Sequence, residues 1–189
     1  MRAFVSGEGR HDLGKWDEAP ERRATSKRTD GVFVELVRKK GTLVEVCGGT
    51  TWRSVPKYVA RGHVSAEEKT LRKLVEFAHD AGADTLIWGR DIDDDKSRQK
   101  QLEGAQAALA GEDLDGLAVR GGPVVPCIEA WVLALSGAVS HPEEQSPAKL
   151  KALAEEHGLA SEDEMVELIR SKPLDVTRSD SLRNWLAQF

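Results

Sequence analysis

Short apolar runs alternate with longer segments of helical spacing along most of the chain. Residues 2–6 read as a short buried strand, closed by Gly7-Glu8-Gly9. Residues 10–30 are polar and poorly periodic, which predicts a long loop. In residues 31–40, Val32, Phe33, Leu36 and Val37 share one side of a helix. Arg38, Lys39 and Lys40 sit near its end, where cations suit the helix dipole. The β-branched run 42–47 predicts a strand closed by Gly48-Gly49. Ser65-Ala66-Glu67-Glu68 has the form of a capping box, and Leu71, Leu74, Val75, Ala78 and Ala81 keep helical spacing up to Gly82. Residues 84–88 then predict a buried strand, 95–109 a helix, and 117–120 a short strand turned by Gly121-Gly122-Pro123. Residues 126–135 predict an apolar helix with proline at an early position, where its missing N–H costs little. Three further helices are expected at 147–156, 161–171 and 179–188, each opening at a good N-cap or at proline.

Strand and helix alternate through residue 135. That order implies right-handed βαβ crossovers, an α/β fold with a mainly parallel sheet, and ligands at the carboxyl ends of the strands. The expected division is a core of residues 1–140 with a helical C-terminal extension, 141–189, packed on it as a single domain. The chain has 189 residues, 40% hydrophobic and 31% charged, enough for a real core under a well-solvated surface. No apolar run approaches the roughly 20 residues needed to cross a bilayer. The first eight residues carry no apolar segment of a secretory signal, so a cytoplasmic protein without a membrane partner is expected. Cys47 and Cys127 lie in apolar contexts and read as reduced core residues rather than a zinc site.

Charge is unevenly spread. The net value is −5, but residues 1–63 carry +5 and residues 64–189 carry −10. A basic first third could contact phosphate while an acidic remainder holds metal; ordinary drift of charge along a chain gives the same numbers.

Two acidic groups fall at predicted strand ends. Glu8 follows the first strand between two glycines, and Asp91-Ile92-Asp93-Asp94-Asp95 follows the strand ending at Trp88, with Gly89-Arg90 between. Glu8 and Asp91 are expected to converge at one edge of the sheet. Asp91 and Asp93, two apart, can face one ion, and hard divalent cations take carboxylate oxygens, phosphate and water. The plainer reading of the run is a solvated turn. An EF-hand fails because Lys96 stands where glycine is required and Leu102 where the final glutamate belongs. An aspartyl phosphatase fails on the Gly89-Arg90 insertion and on Asp95. No Walker A or dinucleotide-binding glycine pattern is present, and the five histidines form no triad context. Arg10, Lys15, Arg22, Arg23, Lys27 and Arg28 follow Glu8. They suit a salt-sensitive hold on a nucleic-acid backbone, or a solvated loop.

A first strand ending in Gly-Glu-Gly and a later strand followed by Asp-x-Asp resemble the Toprim domain, the catalytic domain shared by topoisomerases, bacterial primases and several nucleases. Val5-Ser6-Gly7-Glu8-Gly9, the helix Cys127-Ile128-Glu129-Ala130-Trp131 after a proline, and Ser179-Asp180-Ser181-Leu182-Arg183-Asn184-Trp185 look most like a small stand-alone prokaryotic Toprim-like group associated with defence and mobile elements. The resemblance implies a Toprim-like Rossmannoid α/β fold and a catalytic Glu8, acting as general acid/base or as a metal ligand. It implies Mg²⁺ or Mn²⁺ at Asp91 and Asp93, with Asp95 as an alternate ligand. Glu129 either completes a second metal site or is a helix N-terminal glutamate favoured by the dipole. Trp131 reads as core. The lone tyrosine, Tyr58, has no placement for topoisomerase chemistry. The implied activity is metal-dependent phosphoryl transfer on DNA or RNA, a nuclease in a defence setting. The alternatives are a non-catalytic nucleotide- or metal-binding regulator, or an effector subunit that needs a genomically adjacent ATPase.

Overall fold

Strands β1 (Arg2–Gly7), β2 (Glu45–Thr51), β3 (Thr85–Asp91) and β4 (Ala118–Val124) form one sheet in the order β2-β1-β3-β4, every pair parallel. The structure is a computed structural model and describes residues 1–14, 30–56 and 64–189. The α/β class with a parallel sheet and C-terminal helices is therefore as the alternation of periods implied.

Strand alternation sorts the two sides of the sheet. Ala3, Val5 and Ile87 share one core with α2 (Val32–Lys39), α5 (Ile128–Ser136), α7 (Glu162–Ser171) and α8 (Asp180–Leu186), joined by Leu13 of the short α1 (Arg10–Leu13). Phe4, Leu86 and Trp88 share the other core with α3 (Ala66–Asp80) and α4 (Lys96–Ala110). The crossover from β1 to β2 thus covers one face, and those from β2 to β3 and β3 to β4 cover the other. Connections diverge between β1 and β3, which leaves a crevice at the carboxyl ends of those two strands, the usual ligand position in such sheets.

Three strands run further than their glycines suggested. β2 continues through Gly48-Gly49 to Thr51, and β4 through Gly121-Gly122-Pro123 to Val124. Proline is tolerated there because β4 is an edge strand with no ladder partner beyond it. β3 continues through Gly89-Arg90, so Asp91 is itself the last strand residue rather than a residue set off from it. Gly89 is needed for space: a Cβ there would lie 2.2 Å from the Phe33 ring. Residues 10–13, expected in a loop, form the one-turn helix α1.

The C-terminal helices pack on this frame. α6 (Pro147–Glu156) joins α5 around Cys127, Ala130, Leu133, Leu150 and Ala154. Helix α7 contacts α2, and α8 contacts β4. Trp185 Nε1 donates to the Trp88 carbonyl at 2.9 Å, and Trp131, fully buried as expected, packs against Phe33 and Trp185. Glu143 Oε1 accepts from Ser179 Oγ, Ser181 N and Ser181 Oγ at 2.6–2.8 Å, which fixes the start of α8. Among the described residues no helix is long and apolar enough to cross a membrane.

Candidate functional site

Parity along the strands decides which side chains meet. Ser6 pairs with Trp88 across β1 and β3; Trp88 belongs to the α3–α4 core, and Ser6 shares the parity of Phe4, which does too. Continuing that register by two residues sets Glu8 opposite Arg90. The side chains comply: Glu8 accepts from Arg53 Nε at 2.8 Å and forms an ion pair with Arg90. Arg53 arrives from the single 3₁₀ turn Trp52–Ser54 after β2, which Thr51 caps. Glu67, in the first turn of α3, accepts from Trp52 Nε1 at 3.0 Å and lies 3.6 Å from Arg98 Nε. Arg98 also bonds Asp93 at 3.1 Å. These groups line a cavity of about 610 Å³, with Trp52, Val55, Pro56 and Ala66 on its apolar flank.

Asp91 has the opposite parity and faces the α1–α5–α7 side. Its carboxyl is held well above the ordinary carboxylate range, by burial first, then by the charges of Asp12, Glu129 and Asp93; Lys151 opposes this. Asp12, on α1, is 3% exposed, and burial, then Glu129 and Glu162, raise it to about 7 against the pull of a Gly9 N–H bond of 3.0 Å. Asp12 reaches this place only because residue 7 is glycine, since a Cβ at Gly7 would lie 2.3 Å from the Asp12 Cβ. Glu129 stands in the first turn of α5, and its Oε2 is buried without a hydrogen-bond partner among the described residues. Burial and the Glu129 charge also push the neighbouring Cys127 thiol upward.

The expected convergence of Glu8 and Asp91 is corrected by this geometry. Both end up at the same sheet edge, but on opposite faces, and the carboxylates gathered beside Asp91 are Asp12 and Glu129. Among the aspartates 91–95, only Asp91 is held in the carboxylate cluster. Asp93 and Asp94 take left-handed backbone conformations, φ 49° and 64°, which short polar residues tolerate. Asp95 caps α4, accepting from Ser97 N and Arg98 N at 2.9 and 3.0 Å, so its carboxylate is committed to the helix. Arg10 lies on α1. Lys15, Arg22, Arg23, Lys27, Arg28 and Tyr58 lie outside the described residues. Asp12, Arg53, Glu67, Arg90 and Arg98 were not foreseen as site residues. For Asp12 one signal existed: a carboxylate three residues after Gly9 matches the reach-back half of a capping box.

Oxygen donors alone suit a hard cation, and the unpartnered buried oxygen of Glu129 is what such an ion would satisfy. Among the described residues, no group of three or more His, Cys, Asp or Glu could hold a metal ion by itself. The fit is therefore to an ion that takes one or two carboxylates and completes its shell with water and phosphate, as Mg²⁺ commonly does. No family model, curated protein or solved structure matches this chain.

Proposed function

We propose that the chain is a Toprim-like, divalent-metal-dependent phosphoryl-transfer enzyme that hydrolyses phosphodiester bonds in nucleic acid, a nuclease in a prokaryotic defence setting. The observation that carries this reading is the Asp12–Asp91–Glu129 cluster beside the β1–β3 crevice, in which burial and neighbouring carboxylates raise Asp12 and Asp91. Asp91 and Glu129 would hold Mg²⁺ or Mn²⁺. A bound divalent cation supplies Lewis-acid stabilisation of the phosphoryl oxygens. Asp12, with a proton affinity near neutrality, suits general acid/base work, taking the proton of an attacking water or returning one to the leaving oxygen. Glu8, in this reading, orients Arg53 and Arg90 toward the phosphates of the strand.

The double pairing of Glu8 favours a second reading, because a carboxylate held by two arginines is a poor base. A nucleotide-binding regulator, or an effector completed by a partner ATPase, needs the cavity but no turnover. The test is incubation of the purified chain with labelled single- and double-stranded DNA and RNA in Mg²⁺, Mn²⁺ or EDTA. Cleavage that requires metal, is lost in Asp91→Asn and falls by about 10²–10⁴-fold in Asp12→Asn supports the enzyme. Binding without cleavage under every condition supports the regulator.

A further inference from the structure

The cavity on the Glu8 side contains one charge that its own walls do not answer. Its lining cations are Arg53, Lys69, Arg90 and Arg98, and its carboxylates are Glu8, Glu67 and Asp93. Each arginine has a carboxylate: Arg53 and Arg90 share Glu8, and Arg98 bridges Glu67 and Asp93. Among the described residues Lys69 has none. Its Nζ is buried in the wall and makes no hydrogen bond to them. Withdrawing an ammonium from water without a partner is unfavourable, and an anion in the cavity would reverse that cost. The mostly buried Arg90 and Arg98 are held by carboxylates, and the exposed Arg53 is tied to Glu8, which brings three guanidinium groups suited to phosphate oxygens to one wall.

Size and lining narrow the ligand. About 610 Å³ lies within the ordinary range for a small-molecule site and accommodates one nucleotide unit. The lining also includes the apolar Trp52, Val55, Pro56 and Ala66, so the cavity matches a molecule with an anionic end and a flat, less polar body. We propose that this cavity is a nucleotide-binding subsite that takes a terminal phosphate monoester, with Lys69 as its principal phosphate ligand. The nucleoside half of this assignment rests on the nucleic-acid reading above; the phosphate half rests on Lys69 and the arginines alone. A terminal phosphate carries nearly two negative charges at neutral pH, a better match to an unpaired ammonium than the single charge of a diester.

The shared chemistry is a phosphate on a nucleoside, from a free mononucleotide or from a strand end. Calorimetry in EDTA separates this question from metal binding and cleavage. The probes are thymidine, thymidine 5′-monophosphate, and oligothymidylate with a 5′-phosphate or a 5′-hydroxyl. Wild type should bind the monophosphate at least about tenfold more tightly than thymidine, the difference expected of a charge-assisted hydrogen bond. Lys69→Met should erase that preference, and Lys69→Arg should retain most of it. A thermal melt of Lys69→Met at or above the wild-type midpoint establishes that the fold is intact; if it melts lower, Lys69→Gln takes its place. A 5′-phosphate preference among the oligonucleotides identifies a strand end as the source. Discrimination by the mononucleotide alone identifies a free nucleotide. Equal affinity for thymidine and its monophosphate, or a preference that survives in both Lys69→Met and Lys69→Gln, overturns the subsite. That outcome leaves metal-dependent cleavage standing or falling on its own assay.

Discussion

Replacing Asp12 by asparagine should stabilise the protein at alkaline pH and do little at acid pH. Asp12 is buried with Glu129 and Glu162 among its neighbours and next to Asp91, while Gly9 N–H is its hydrogen-bond donor. Its proton affinity rises from 3.8 to about 7 in the folded chain. A carboxyl raised on folding binds its proton more tightly in the native state. The associated stability is complete below about pH 4, falls as pH rises, and is gone above about pH 7. Across roughly three pH units, at about 1.4 kcal/mol each, the loss is on the order of 4 kcal/mol, shared by the Asp12–Asp91 cluster. Asparagine keeps an oxygen for Gly9 N–H and cannot ionise. In EDTA, urea denaturation of Asp12→Asn against wild type should show a difference near zero at pH 4 and a gain of about 2–4 kcal/mol at pH 8. Mn²⁺ should shrink the gain at pH 8, because a cation among the carboxylates stabilises the wild type preferentially. A difference that is the same at both pH values, or a less stable variant at pH 8, would refute the raised carboxyl.

Asp95→Ala removes the N-cap of α4 and should cost about 1 kcal/mol in denaturation while leaving Mn²⁺ affinity unchanged, which calorimetry reads directly. Gly89→Ala drives a methyl into the Phe33 ring between β3 and α2 and should destabilise by about 1–3 kcal/mol, visible as a lower melting temperature with Mn²⁺ absent. Gln188→Ala removes the side chain that accepts from Gly121 N at 2.9 Å and donates to Gly121 O at 2.6 Å, at a cost of about 1–3 kcal/mol. Amide exchange at Gly121 should accelerate selectively in that variant.

The framework of the fold was legible because local signals agreed with it. Ser65, Asp95, Ser146, Ser161 and Ser179 each stand at a helix N-cap and accept a backbone N–H there, and the apolar runs are the cores of β1 and β3. Glycine misled where it served packing rather than punctuation: Gly89 makes room for Phe33. Gly121 takes φ 144° within β4, and a Cβ there would meet the Trp88 carbonyl at 1.9 Å. The site was half legible. That Glu8 and Asp91 stand at neighbouring strand ends follows from the βαβ order. That they face opposite sides follows only from register, since a shift of one residue between β1 and β3 exchanges the faces. With Ser6 opposite Trp88, Glu8 falls to Arg90, and the partner of Asp91 must come from another element. Asp12 is that partner, and its one-turn helix is too short to register as a period. The pairing of Arg53 and Arg90 with Glu8 joins the ends of three strands, a tertiary fact with no local trace.

The most direct test of a catalytic cation at the β1–β3 edge is a calorimetric Mn²⁺ titration at pH 7.5 of the wild type, Asp91→Asn and Glu129→Gln. Wild type should bind the ion, and each variant should weaken it by at least about tenfold, since each removes one of the few charged oxygens available to a hard cation. Undiminished affinity in both variants would contradict a metal site at Asp91 and Glu129, and the phosphoryl-transfer reading would fall with it.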